Sequence, residues 1–212
     1  MTRAELTDAI RLRLGVSDSD SRMTTFIHSQ LNTEYLRLAA EEALLEKTAT
    51  LTTVAGNNVV DLPDDWQRTL QIIQGGVPLR PVTALEYADI DGAGSPRRVY
   101  FPQSPERILI APAPSVSEAQ GLTIIYVARP PALDADSDTP SALPVEYHDI
   151  LVELVLIRAF LAEEDATLSQ AAQINAQGLI DRLRAHTRMS GGEGVGKMVL
   201  PPVAARYGRA WS

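Results

Sequence analysis

The chain has 212 residues, of which 45 % are hydrophobic and 22 % charged, enough for one ordinary globular domain with an insertion or tail. It holds no cysteine and only three histidines (His28, His148, His186), which excludes disulfides, thiolate nucleophiles and cysteine-built zinc sites. A net charge of −8 and an isoelectric point near 4.9 argue against gripping nucleic acid by charge alone.

Chain order begins with Met1-Thr2-Arg3-Ala4-Glu5-Leu6-Thr7-Asp8, which carries charges where a signal peptide needs an apolar core. The spacing of Leu6, Ile10 and Leu14 predicts a helix over 2–14, stopped by Gly15. Residues 17–21 alternate serine and aspartate and supply N-caps for a longer helix reaching about Lys47. Its expected stripe is Ile27, Leu31, Tyr35, Leu38 and Leu45.

The middle of the chain reads as strands. Twelve of the fourteen prolines fall between Pro63 and Pro144, a block that cannot be mainly helical. Residues 48–54 alternate and are rich in β-branched side chains, 55–58 make a turn, and 59–62 return. Further strands are expected at 69–74, 99–101, 107–111 and 122–127, with a short helix at 84–90. A second helical block starts at Pro144, with Tyr147, Ile150, Leu151, Leu154, Val155 and Leu161 as its apolar face. Its best apolar run, 150–161, is broken by Glu153 and Arg158 and falls short of the roughly 18 residues that span a bilayer. A last helix, capped by Asp165, runs to about Thr187 with Leu168, Ala172, Leu179 and Leu183 inward.

The fold class expected is α+β: an antiparallel helical bundle from both chain ends, an inserted small antiparallel β domain (sheet or barrel), and an extended C-terminal arm. The boundaries read as 1–47 with 141–188 for the bundle, 48–140 for the β-rich insertion and 189–212 for the arm.

The last 25 residues differ in kind from the rest. From Arg188 onward there are five glycines and two prolines, four basic residues and one acid. Removing this +3 from the −8 of the whole leaves −11 on residues 1–187. Met198, Val199, Leu200, Tyr207 and Trp211 are apolar anchors that a solvated linker normally lacks. A basic arm on an acidic body reads as made to dock on another subunit; the alternative is a frayed terminus or one folded back on its own body.

Several chemical motifs have plainer readings. Residues 191–197 (GGEGVGK) have phosphate-loop spacing, yet Met198 stands where a hydroxyl is needed for magnesium and Pro201-Pro202 follow. The run reads as a hinge. Glu41-Glu42 and Glu163-Glu164-Asp165 read as solvated faces and a cap, and Asp64-Asp65 as a turn into a packed Trp66. His148 with Asp149 and Glu153 is too small a set for a metal, and no serine sits in a Gly-x-Ser-x-Gly elbow. No catalytic residue, cofactor or metal is expected.

Read in order, one series of segments carries a resemblance: Val60-Asp61-Leu62-Pro63-Asp64-Asp65-Trp66, Thr83-Ala84-Leu85-Glu86-Tyr87, Ser95-Pro96 leading to Tyr100, Ile108-Leu109-Ile110-Ala111-Pro112-Ala113-Pro114, Leu122-Thr123-Ile124-Ile125-Tyr126, and Leu143-Pro144-Val145-Glu146-Tyr147-His148-Asp149-Ile150-Leu151-Val152. Together they resemble the adaptor (head–tail connector) proteins of tailed bacteriophages, including the tubular-tail-type connectors of podoviruses, over about residues 20–187.

The resemblance implies a non-enzymatic virion protein of the neck, made in the host cytoplasm and assembled as a dodecameric ring beneath the portal. Such a ring extends the DNA channel, with genomic DNA passing through without sequence-specific binding and no membrane partner. Its far face receives a downstream stopper, tail or nozzle protein. A C-terminal arm of this kind reaches up to hold the portal protein; the expected contacts are Arg188, Lys197, Met198, Val199, Leu200, Arg206, Tyr207, Arg209 and Trp211. Two other readings stay open: a stopper or tail-terminator that does not touch portal, and a small hydrolase or nuclease with an acidic site at Asp64/Asp65.

Overall fold

A computed structural model describes residues 1–17, 19–92 and 97–190, with backbone alone described at 91, 92 and 188–190. Helix α1 spans Arg3–Leu14 and is closed at both ends by its own sequence. The Thr2 hydroxyl accepts from the Glu5 N–H, the Glu5 carboxylate accepts from the Thr2 N–H, and Gly15 ends the helix at φ 67°. Asp20 caps α2, Ser21–Glu41, by accepting from the N–H groups of Arg22 and Met23.

Helix α2 stops six residues short of Lys47. Ala43 turns the chain at φ 51°, and Glu46 already pairs with Val127 across a sheet. Leu45, expected on the helical stripe, instead lies between the two main cores and packs against both. The rest of the stripe holds, with Ile27, Leu31, Tyr35 and Leu38 buried.

Two helices follow at the other end of the chain. Pro144 opens a 3₁₀ turn, Val145–Tyr147, which leads into α4, Asp149–Ala162, and then α5, Ala166–Ser190. Asp165 caps α5 by accepting from the Leu168 N–H. Helix α4 is the central element, buried almost all round its first half from Ile150 to Leu156, with α1, α2 and α5 packed about it. Two expected inward residues point outward: Leu161 is 54 % and Leu168 47 % exposed. Both flank the tight turn at Glu163–Asp165, and Leu161 lines the open cleft between α2, α4 and α5. Inward on α5 are Ala172, Ala176 and Leu183.

The strands are β1 Glu46–Thr53, β2 Val59–Asp61, β3 Trp66–Gln74, β4 Val77–Pro78, β5 Arg80–Pro81, β6 Val99–Ser104, β7 Arg107–Ala111 and β8 Glu118–Ala128. They form two sheets rather than one, in the orders β1-β8-β3-β4 and β2-β7-β6-β5. Pairing is antiparallel except β5 with β6, which is parallel. Helix α3, Ala84–Gly92, connects that parallel pair, and its N-terminus carries a reciprocal Thr83–Glu86 cap.

Alternation along β6 and β7 explains the layering. Tyr100, Ile108 and Ile110 face the first sheet, sharing a core with Leu51, Ile72, Leu122, Ile124 and Tyr126. Val99, Phe101, Leu109 and Ala111 face the other way and pack with Val82, Tyr87 and Ile90, so α3 covers the outer face. The Tyr87 hydroxyl donates to the Ile110 carbonyl and accepts from the Asn58 amide.

The link between strands and helices is an irregular run after β8. Leu133 and Leu143 of this run enter the helical core. Its Leu133 N–H donates to Asn32 Oδ1 and its Ala142 N–H to the Tyr35 hydroxyl.

Candidate functional site

Asp65, His148, Glu153, Glu41 and Glu42 of the candidate set are each committed to a structural partner. Asp65 accepts from Lys47 Nζ at 2.6 Å and from the Tyr126 hydroxyl at 2.8 Å, tying the turn after β2 to β1 and β8. The Lys47 ammonium holds the Asp65 carboxyl below the usual range, while burial, with Asp65 adding to it, pushes the Tyr126 phenol up to about 12. Asp64 is exposed beside Asp61 and Glu106, and makes no convergent pair with Asp65.

His148 is buried under the chain's start. Its Nδ1 accepts from the Met1 ammonium at 2.8 Å, and Leu143 O, able only to accept, places the proton on Nε2. Burial lowers its pKa from the ordinary histidine value, with the nearby ammonium acting in the same direction. Glu153, on the same helix, faces α1 and pairs with Arg13. Among the described residues no three metal-ligating side chains converge, and no helix is long and apolar enough to cross a membrane.

Glu34, which sequence reasoning misses, is the most deeply buried carboxylate of the helical layer, at 1 % exposure. Its Oε2 accepts from Arg37 Nε at 2.8 Å and its Oε1 from Arg158 Nε at 3.0 Å, joining α2 to α4. Arg37 also holds Glu41. A signal was available: Glu34 sits three residues after Leu31 and four before Leu38, on the buried stripe itself. Glu42, one of the expected solvated acids, is instead clasped by Arg184 of α5 at 2.7 Å.

These pairs border two clefts, one on each side of α5. The first lies against α1 and α4, lined by Ala9, Arg13, Val152, Glu153, Ile174 and Leu179. The second lies against α2 and α4, lined by Leu154, Ile157, Ala176 and Ile180 together with Glu34, Arg158 and Arg184. Both are open and polar-rimmed, and in both the charges neutralise one another. They suit protein surfaces better than chemistry on a small substrate.

The portal-contact candidates Lys197, Met198, Val199, Leu200, Arg206, Tyr207, Arg209 and Trp211, and the glycine run 191–197, lie outside the described residues; Arg188 is described only as backbone within α5. Comparison with known families gives one clear match: the family described as SU10 adaptor protein covers residues 1–197. No curated protein matches the sequence.

Proposed function

The chain belongs to the SU10 adaptor protein family, a family of phage head–tail adaptors, and on that premise we propose that it joins the portal to the tail as a ring extending the DNA channel. The observation that carries this reading is the extent of the match, which takes in the helices of both chain ends and the whole β part. The described body is held by ion pairs that join helix to helix and turn to strand.

In this reading the ring is dodecameric and each copy presents two different flanks that close by rotation. The −11 on residues 1–187 faces passing DNA in part, and repulsion of phosphate keeps DNA from sticking. The basic arm from Arg188 onward docks on portal: Met198, Val199, Leu200, Tyr207 and Trp211 fill pockets between portal subunits, and Lys197, Arg206 and Arg209 pair with portal carboxylates. A tail protein meets the far face.

The test mixes the purified protein with purified portal and images the complex by electron microscopy. Full-length chain is expected to cap portal with a ring; a chain lacking residues 189–212 is expected to fold and fail to cap. Capping by the truncated chain at full-length affinity would refute the arm's role, and absence of any complex with portal would refute the portal-side position.

A further inference from the structure

The second sheet carries opposite charge at opposite corners. At one corner, where β2 ends and the β6–β7 turn begins, Asp61, Leu62, Pro63, Asp64, Pro105 and Glu106 line a shallow recess. Asp61 is paired with Arg107 at 2.9 Å, leaving Asp64 and Glu106 as the corner's excess charge. At the other corner Arg80, Arg97, Arg98 and Val99 line a second recess. Arg98 is braced by donating to the Gln74 carbonyl, and Glu86 stands 3.9 Å from Arg80.

Strand order sets the two corners on a diagonal. β2 and β5 are the two edges of the sheet, and β5 pairs with the start of β6, whereas Asp61 lies level with Arg107 and so with Ser104 at its other end. Three strand spacings and five residues of β6 separate them by roughly 14 Å across and 17 Å along. Neither edge invites strand addition. β2 is three residues long and followed by Pro63, and β5 is only Arg80-Pro81. Contact there must be made by side chains.

We propose that these two corners are the two halves of the contact between neighbouring copies: the Arg80/Arg97/Arg98 corner of one protomer meets the Asp61/Asp64/Glu106 corner of the next. This rests on the ring reading above. A surface whose complement lies elsewhere on the same molecule makes a head-to-tail contact, the kind that closes a ring. Charge complementarity names the occupant as a second copy, because each corner finds its opposite on an identical molecule. DNA could satisfy the basic corner alone and leaves the acidic one unexplained.

A charge-swap experiment tests it. One variant, made all-acidic, carries Arg80→Glu and Arg98→Glu; a second, made all-basic, carries Asp64→Arg and Glu106→Arg. All four positions are exposed, so thermal melts should match the parent. With portal, each variant by itself is expected to lose ring formation, the assembly midpoint rising by at least about tenfold through like-charge contact. Mixed equally, the two are expected to restore rings by alternating around an even-numbered closure. Where either reversal melts early, Arg80→Gln and Asp64→Asn replace it, each expected to weaken assembly, and more so at low salt, where screening is least.

If the unaltered protein forms no ring with portal, the ring reading itself fails. If it does, and the all-acidic and all-basic variants each form rings as readily, the corner contact is overturned while that reading stands. Loss of DNA binding by the all-acidic variant with ring formation intact would assign the basic corner to phosphate and likewise overturn the contact.

Discussion

Glu34 makes a prediction whose size depends on which partner is removed. Its carboxylate is buried, while the side chains of Arg37 and Arg158 are 41 % and 51 % exposed. Removing one arginine leaves the carboxylate still paired, and the cost is that of one charge-assisted hydrogen bond reduced by solvent, about 1–1.5 kcal/mol. Removing both, as Arg37→Ala with Arg158→Ala, strands a buried charge and is expected to cost about 3–5 kcal/mol. The double variant therefore exceeds the sum of its singles. Replacing the carboxylate itself by Glu34→Leu lets both arginines turn to water and fills the stripe between Leu31 and Leu38, so it should be close to neutral or stabilising. Urea titration followed by circular dichroism measures all four variants, and in melting experiments each kcal/mol is worth about 2–4 °C at this chain length. The argument fails if the double variant is no worse than additive, or if Glu34→Leu is as damaging as the double.

Three further outcomes are expected. A Cβ added at Gly121 of β8 would lie 2.9 Å from the Thr53 Cβ, which no rotation of the threonine relieves, so Gly121→Ala should cost about 1–3 kcal/mol by urea titration, and Gly121→Ala with Thr53→Gly should recover part of it. His148 has a folded pKa below its unfolded value near 6.5, so the unfolded chain binds the proton first; stability is complete above that pH and falls as pH drops through about 6.5 toward the folded pKa. His28 is lowered too, by burial first, so His148→Gln should flatten part of this slope; an unchanged slope would show that His148 does not titrate between the two states. Asp65→Ala should cost about 1 kcal/mol, the pair with Lys47 being half open to solvent, and ultraviolet titration should find the Tyr126 phenol lowered from about 12. Loss of a hydrolytic activity in that variant would instead revive an acidic site.

Much of the local structure is written in single residues. Thr2 with Glu5, Asp20 and Asp165 are caps that need only their own neighbours, and the observed helices begin beside them. Alternation at 107–111 marks a strand with two apolar faces, and both faces are covered. The acids are misjudged where the answer lies across the fold. Glu42 reads as solvated beside Glu41 until Arg184, more than a hundred residues later, closes on it. Leu161 and Leu168 fit a helical stripe well, yet both stay half exposed beside the tight turn between α4 and α5.

The sequence alone determined composition, charge division, the caps, most strands and the family resemblance that the family match supports, because each is local or is a matter of order along the chain. Tertiary structure decided what depends on pairing at a distance. Two sheets instead of one, and the parallel β5–β6 pair, follow from which strands share hydrogen bonds after α3 returns the chain. The same holds for charge. A net of −8 says nothing of direction, whereas strand order sets Asp64 and Glu106 at one corner and Arg80 and Arg98 at the opposite one. Side-chain periodicity tells which face a residue takes; only closure of the sheet tells which neighbours that face will have.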